Sequence, residues 1–295
     1  MLNAALKEHL DGEGTTVAYC WQLTSPAGRT LGFTTHDHPI TFLGITFEPG
    51  FGLDATQATV QADFQAGQEE TLGFLSSESL SEKDLNAGLW DNAQVQVFLV
   101  NWQNPEEREL LRRGSLGEVT RDANVFRTEF RSLATRLSQN KGRQLSHQCH
   151  ADLGDVSCGI DLSNAAYTQT LSITELDAAK RLVVEGERDE NSGWWSFGTL
   201  TFHSGPYANH PLRIASHTIE QGAHKLSLWS PLVLELTYPL AATLSTGCDK
   251  SWGACQEKFQ NALNFKGFPH MPGNDFILAG PDTQSAANNG EKLVG

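Results

Sequence analysis

T-T-V-A-Y-C-W-Q-L (residues 15–23), R-T-L-G-F-T-T (29–35) and I-T-F-L-G-I-T-F (40–47) decide the fold class. All three runs are rich in Val, Ile, Thr and aromatic residues, the types that suit a pleated, half-buried surface. Ser25-Pro26-Ala27-Gly28 separates the first two, and His36-Asp37-His38-Pro39 separates the next; both are turn chemistry. Closely spaced strands with breaks of this length predict a mainly β chain. Cys20 falls in the first apolar run and is expected in the core, where a free thiol packs as a small hydrophobe.

Outward from this segment, 58–64 and 93–102 read as further strands. Residues 115–119 and 125–130 form a hairpin pattern around Asp122-Ala123-Asn124. Later runs at 167–173, 198–202, 212–215 and 225–229 are also expected as strands, broken by Gly, Pro and Asn. Helical patterns are few and short. Leu2, Ala5, Leu6 and His9 share one face over 2–10. Ser81 caps a helix over 81–89, with Asp84 in its first turn. Leu133 and Leu137 have helical spacing over 132–138, and Phe259 and Leu263 mark the clearest helix of the second half, 256–265. The expected division is a β-rich domain over 1–145, a second over 146–278 and a polar, aperiodic tail over 279–295.

The chain has 295 residues, a formal net charge of −14 and seven tryptophans. The acidity disfavours a grip on nucleic acid, which needs Lys and Arg against phosphates. No stretch approaches the run of about 20 apolar residues that spans a bilayer. The N-terminus carries charges instead of an apolar signal core, so no secretory leader is expected.

Four of the five cysteines form two pairs in loop-type sequence. Cys149 and Cys158 flank C-H-A-D-L-G-D-V-S-C, and Cys248 and Cys255 flank C-D-K-S-W-G-A-C. Three readings compete. Unrelated buried thiols fit poorly with the Asp, Gly and Ser around them. Two local disulfides require an oxidising compartment. One four-thiolate site suits Zn²⁺ or an iron–sulfur cluster, and although these gaps are wide for zinc, spacing alone does not choose the metal.

Other constellations carry less. His36 and His38 supply two imidazoles without an identifiable third ligand. Cys158 with His150, His203, His210 or His217 can be arranged on paper as a Cys–His hydrolase, which leaves the other three loop cysteines unexplained. There is no H-E-x-x-H, G-x-S-x-G or phosphate loop. Trp194-Trp195 is expected to be buried against neighbouring strands.

The run G-C-D-K-S-W-G-A-C-Q-E-K-F-Q-N-A-L-N-F-K-G-F-P-H-M-P-G-N-D-F (247–276) resembles the C-terminal signature of a tail-tip hub family of long-tailed phages and gene transfer agents, a family that includes the tail-tip L protein of phage lambda. The run from Glu129 through L-S-H-Q-C-H-A-D-L-G-D-V-S-C-G to Asp161 is similar to its middle signature, and L-G-F-T-T-H-D-H-P-I-T-F-L-G (31–44) to its N-terminal hairpin, where the second histidine departs from the usual pattern. Y-P-L-A-A-T (238–243) departs too, as a loop where relatives carry a Gly-Asp turn. The resemblance implies barrel- or sandwich-like hub domains joined by a four-cysteine cluster site. Its implied ligands are Cys149, Cys158, Cys248 and Cys255, and its implied cofactor is an iron–sulfur cluster, [4Fe-4S], with zinc as the fallback. It implies a non-enzymatic role in a virion tail baseplate, assembled in the bacterial cytoplasm. Implied partners are two further copies in a homotrimer, the distal tail protein, the spike or receptor-binding protein and the tape-measure protein, with DNA passing without specific binding. The alternative is a tail-associated cysteine or metal-dependent hydrolase that cuts cell wall.

Overall fold

The computed structural model describes residues 3–49, 70–75, 81–122, 125–132, 137, 142, 145–178, 180–185 and 191–271. The strand expected over 58–64, most of the 132–138 helix and the tail from 279 lie outside the described residues. The chain divides into two compact units. Unit 1 comprises 1–140, 204–210 and 231–237; unit 2 comprises 141–203, 211–230 and 238–295.

Unit 1 opens with helix α1 (Ala4–Leu10), whose N-cap Asn3 side chain accepts from Ala5 N–H. Only Leu6 of its apolar face is buried. The three runs that open the sequence form β1 (Val17–Thr24), β2 (Thr30–Thr34), β3 (Ile40–Phe42) and β4 (Ile45–Pro49). Then come β5 (Glu70–Leu75), α2 (Glu82–Asn86), β6 (Gln94–Asn101), β7 (Arg108–Asp122) and β8 (Val125–Ser132). They make one eight-stranded sheet in the order β3-β4-β2-β1-β6-β7-β8-β5. All pairings are antiparallel except β2 with β4. Ser81 caps α2 by accepting from Asp84 N–H, as its sequence predicts.

Cys20 belongs to a buried cluster with Ala18, Ile40, Phe42, Phe47, Phe98 and Val100. Burial pushes its thiol up to about 11, so it is an inert core group. Phe42 stacks on Phe47 at 4.1 Å and meets Phe98 edge-on at 5.5 Å. These offset contacts add to the area that the rings bury.

Unit 2 is built on β9 (Thr168–Ala178), β10 (Arg181–Glu185), β11 (Thr199–Phe202), β12 (Pro211–Glu220), β13 (Ala223–Leu228) and β14 (Leu240–Ser245). They close into a barrel in the order β10-β13-β12-β11-β14-β9. Closure leaves no strand edge unpaired. Its interior follows the period of two: Leu171 and Ile173, Leu182 and Val184, Leu200 and Phe202, Leu212 and Ile214, Leu226 and Leu228, then Ala242 and Leu244. A register shift between Ile214 and Ser216 changes the parity of β12 and turns His217 inward. His217 then stacks on His224, with Nε2 and Nδ1 3.1 Å apart.

The segment read as a loop at 238–243 is corrected here. Residues 240–245 are β14, the strand that closes the barrel between β9 and β11. The 256–265 helix is also corrected. A π-helical turn (Ala254–Lys258) and a 3-10 turn (Ala262–Asn264) replace it, because Gln260 adopts a left-handed φ of 49° and breaks the ladder. Phe259 is consequently buried while Leu263 is fully exposed.

Candidate cofactor site

All four loop cysteines belong to unit 2 and line one cavity, with Leu153, Ile160 and Phe259 as its apolar wall. Every cysteine of the chain is a free thiol, so neither pair is a disulfide.

The loop carrying Cys149 and Cys158 is shaped by Asp155. Its carboxylate accepts from Cys158 N–H at 2.6 Å and from Asp152 N–H at 2.9 Å. These bonds, that from Cys158 foremost, hold its pKa below the usual carboxylate value. Lys250 joins this loop to the one carrying Cys248 and Cys255. Cys149 N–H donates to Lys250 O at 2.9 Å, and Lys250 Nζ donates to Ala151 O and, at 3.1 Å, to Asp152. The 265–271 stretch runs back along 146–150. Phe268 N–H donates to Ser146 O at 2.9 Å, and His150 Nδ1 lies 2.6 Å from Lys266 O. Gly267 is required there, since a Cβ would lie 2.7 Å from the backbone of Gln148.

The second loop is anchored to the barrel through Lys258. Its Nζ donates to Trp194 O at 2.5 Å and Gly247 O at 2.8 Å, and it lies 4.9 Å from the centre of the Trp194 ring. Trp195 beside it is completely buried. This lysine, together with Asn261, Lys266 and Lys250, is invisible to motif reading. Each has a partner 64 to 117 positions away in sequence, which only the fold reveals.

Hydrogen bonds reach all four sulfurs. Lys250 N–H donates to Cys248 Sγ at 3.3 Å, Lys266 N–H to Cys149 Sγ at 3.4 Å, and Asn261 Nδ2 approaches Cys158 Sγ at 3.8 Å. Cys255 Sγ instead donates to Asn261 O at 3.3 Å, a bond that only the protonated thiol can make. Burial raises the pKa of Cys248. Burial, followed by the charges of Cys149, Cys248 and Cys158, raises that of Cys255. Both shifts favour the neutral thiol, so a group bound by these sulfurs has to displace their protons. The donor set fits a metal or an iron–sulfur cluster.

Elsewhere, Asp37 supplies the third ligand atom that the sequence did not identify. His36, Asp37 and His38 place ligand atoms within 4.8 Å of one another, the only such set of three among the described residues. Asp37 and His38 are exposed, and the Asp37 carboxylate lies 3.3 Å from His36 Nε2 and 3.0 Å from His38 Nδ1. The histidines considered for a Cys–His pair have other partners: His150 meets Lys266 O, His203 meets Thr243 Oγ1 at 2.7 Å, and His217 meets His224. His210 lies in unit 1. No described helix is long and apolar enough to cross a membrane.

A long mixed sheet, a closed barrel and loop thiols gathered at one cavity define a β-rich protein. Residues 3–161 match the family described as "Baseplate hub protein, N-terminal attachment domain", and residues 193–275 match "Phage conserved hypothetical protein BR0599". A solved chain from "Virion of native gene transfer agent (GTA) particle" is 36% identical with a TM-score of 0.84, the match covering 99% of this chain and 100% of that one. No curated protein sequence matches. The chain belongs to the baseplate hub family of phages and gene transfer agents, and it is a structural protein of a phage-like tail baseplate.

Proposed function

We propose that this protein is the tail-tip hub that joins the distal tail protein to the cell-facing spike or receptor-binding protein. Three copies form a ring around the channel through which the tape-measure protein and DNA pass. The net charge of −14 supports a non-adhesive passage, because few cations are available to exchange for phosphate counterions. The hub acts without catalysis, and its subunits assemble in the bacterial cytoplasm.

Cys149, Cys158, Cys248 and Cys255 hold a [4Fe-4S] cluster, which supplies a cationic core to four thiolates. The observation that carries this reading is the meeting of all four sulfurs at one cavity. The choice of a cluster over zinc rests on the family resemblance, with zinc as the fallback. The role is that of a staple. Ligation at both pairs closes the chain over 159–247, removing roughly 4 kcal/mol of unfolded-state entropy. Loading releases the thiol protons, including the one that Cys255 shares with Asn261 O.

Protein purified without oxygen should be brown and hold about four irons per chain. One zinc without iron refutes the cluster and leaves a zinc staple, whereas mapped 149–158 and 248–255 disulfides refute both. Reconstruction of intact particles tests the hub. Six copies per ring, or a position at the head, refutes that part.

A further inference from the structure

Asn261 is hydrogen-bonded to both cysteine loops. Its Nδ2 donates to Cys158 O at 2.7 Å and points at Cys158 Sγ at 3.8 Å. Its backbone N–H donates to Cys255 O at 2.9 Å, and its carbonyl accepts from Cys255 Sγ. Its Oδ1 accepts from Asn264 Nδ2 at 2.8 Å. The carbonyl of Cys158 fixes which end of the amide faces the cysteine, since an amide oxygen cannot donate to it. Gln260 takes its left-handed conformation immediately before Asn261, at the point where the chain leaves the helical turn for the cavity.

The two cysteines that Asn261 touches come from opposite pairs. The other amides aimed at sulfur, those of Lys250 and Lys266, are backbone groups held by the loops themselves. We infer that Asn261 is a positioning residue that holds Cys158 and Cys255 in one frame and, through its side-chain N–H, tunes the potential and retention of the cluster. The inference rests on the iron–sulfur reading above. Its physical basis is that hydrogen bonds to cluster sulfurs stabilise the more negative, reduced state. Outer groups that orient ligands are also worth a large part of metal affinity.

The test uses the full chain, purified anaerobically, as wild type, Asn261→Asp and Asn264→Ala. Asn261→Asp keeps the shape, removes the donor and places a carboxylate opposite Cys158. Asn264→Ala leaves Asn261 in place but frees its amide to rotate, and serves if the first variant does not fold. The measurements are iron and sulfide per chain, the midpoint potential by spectroelectrochemistry, and the rate of bleaching by an iron chelator. Asn261→Asp should lower the potential and speed iron loss about tenfold. Asn264→Ala should shift both in the same direction by less. An iron-loaded wild type whose two variants keep its potential and bleaching rate overturns this inference alone. A wild type without iron overturns the cluster reading, and this inference with it.

Discussion

Replacing Gly247 by Ala adds one methyl group where the structure has no room for it. The new Cβ would lie 2.0 Å from Phe197 C, 2.2 Å from Gly198 N and 2.3 Å from Ser196 O. Ordinary contact begins near 3.4 Å, so the 196–198 backbone must retreat by more than 1 Å. None of these atoms is the end of a side chain that can swing aside. The backbone that must move is itself tied down: Ile214 N–H donates to Gly198 O at 3.0 Å, and His217 N–H to Ser196 Oγ at 2.9 Å. Overpacking typically costs 1–3 kcal/mol, and an all-backbone clash belongs at about 3 kcal/mol or above. For a domain of this size that lowers the melting temperature by roughly 6–12 °C. Gly253 is the matched control. Its φ of −59° and ψ of −48° are helical, and nothing lies within 4 Å of its added Cβ. Ala there should be neutral or stabilise by a few tenths to about 1 kcal/mol through the unfolded chain. Thermal melts of both variants, followed by circular dichroism, decide the matter. A Gly247→Ala protein that melts with the wild type, or equal shifts at both positions, refutes the steric reasoning.

Cys158→Ser and Cys248→Ser should each lower stability or solubility sharply, while Cys20→Ser should cost only a modest core penalty, because cofactor free energy is folding free energy where the site forms only in the native state. Equal loss in melts of all three variants would refute this assignment. Acid should weaken unit 2 through His217. Burial, then the charges of His224 and Lys258, depress its folded pKa from 6.5 to about 4. Between those values the unfolded chain binds more protons than the folded one, so stability falls as pH drops through 6.5 and levels off below about 4. In urea titrations across that window, His217→Gln should flatten the slope; an unchanged slope would refute it.

The opening strands were legible because three signals agree: period-two patterning, β-branched composition and turn residues at each break. β14 was not, since L-A-A-T-L-S lacks bulky aromatics and follows a proline that reads as a loop. Arg181–Glu185 is too short and too charged at its ends to stand out, although Leu182 and Val184 are buried in the barrel. The first half of β7, with its paired leucines and arginines, offers no alternation. The false helix at 256–265 had the right spacing at Phe259 and Leu263. What defeated it was a single left-handed glutamine, a conformation that its own side chain does not announce. The cysteine loops stood out from their composition, but Asn261 and Lys266 reach cysteines 103 and 117 positions away, a separation that no local pattern encodes.

The antiparallel seam between 146–150 and 265–271 has a mechanical meaning. The chain arrives at the barrel and departs from it at neighbouring points, with Ser146 beside Phe268 and His150 beside Lys266. Tension applied to the two flanks is therefore carried across the seam one bond at a time, as in opening a zip. Behind it the two cysteine loops are braced by Lys250, which donates to Ala151 O and Asp152, and by Asn261, which donates to Cys158 O.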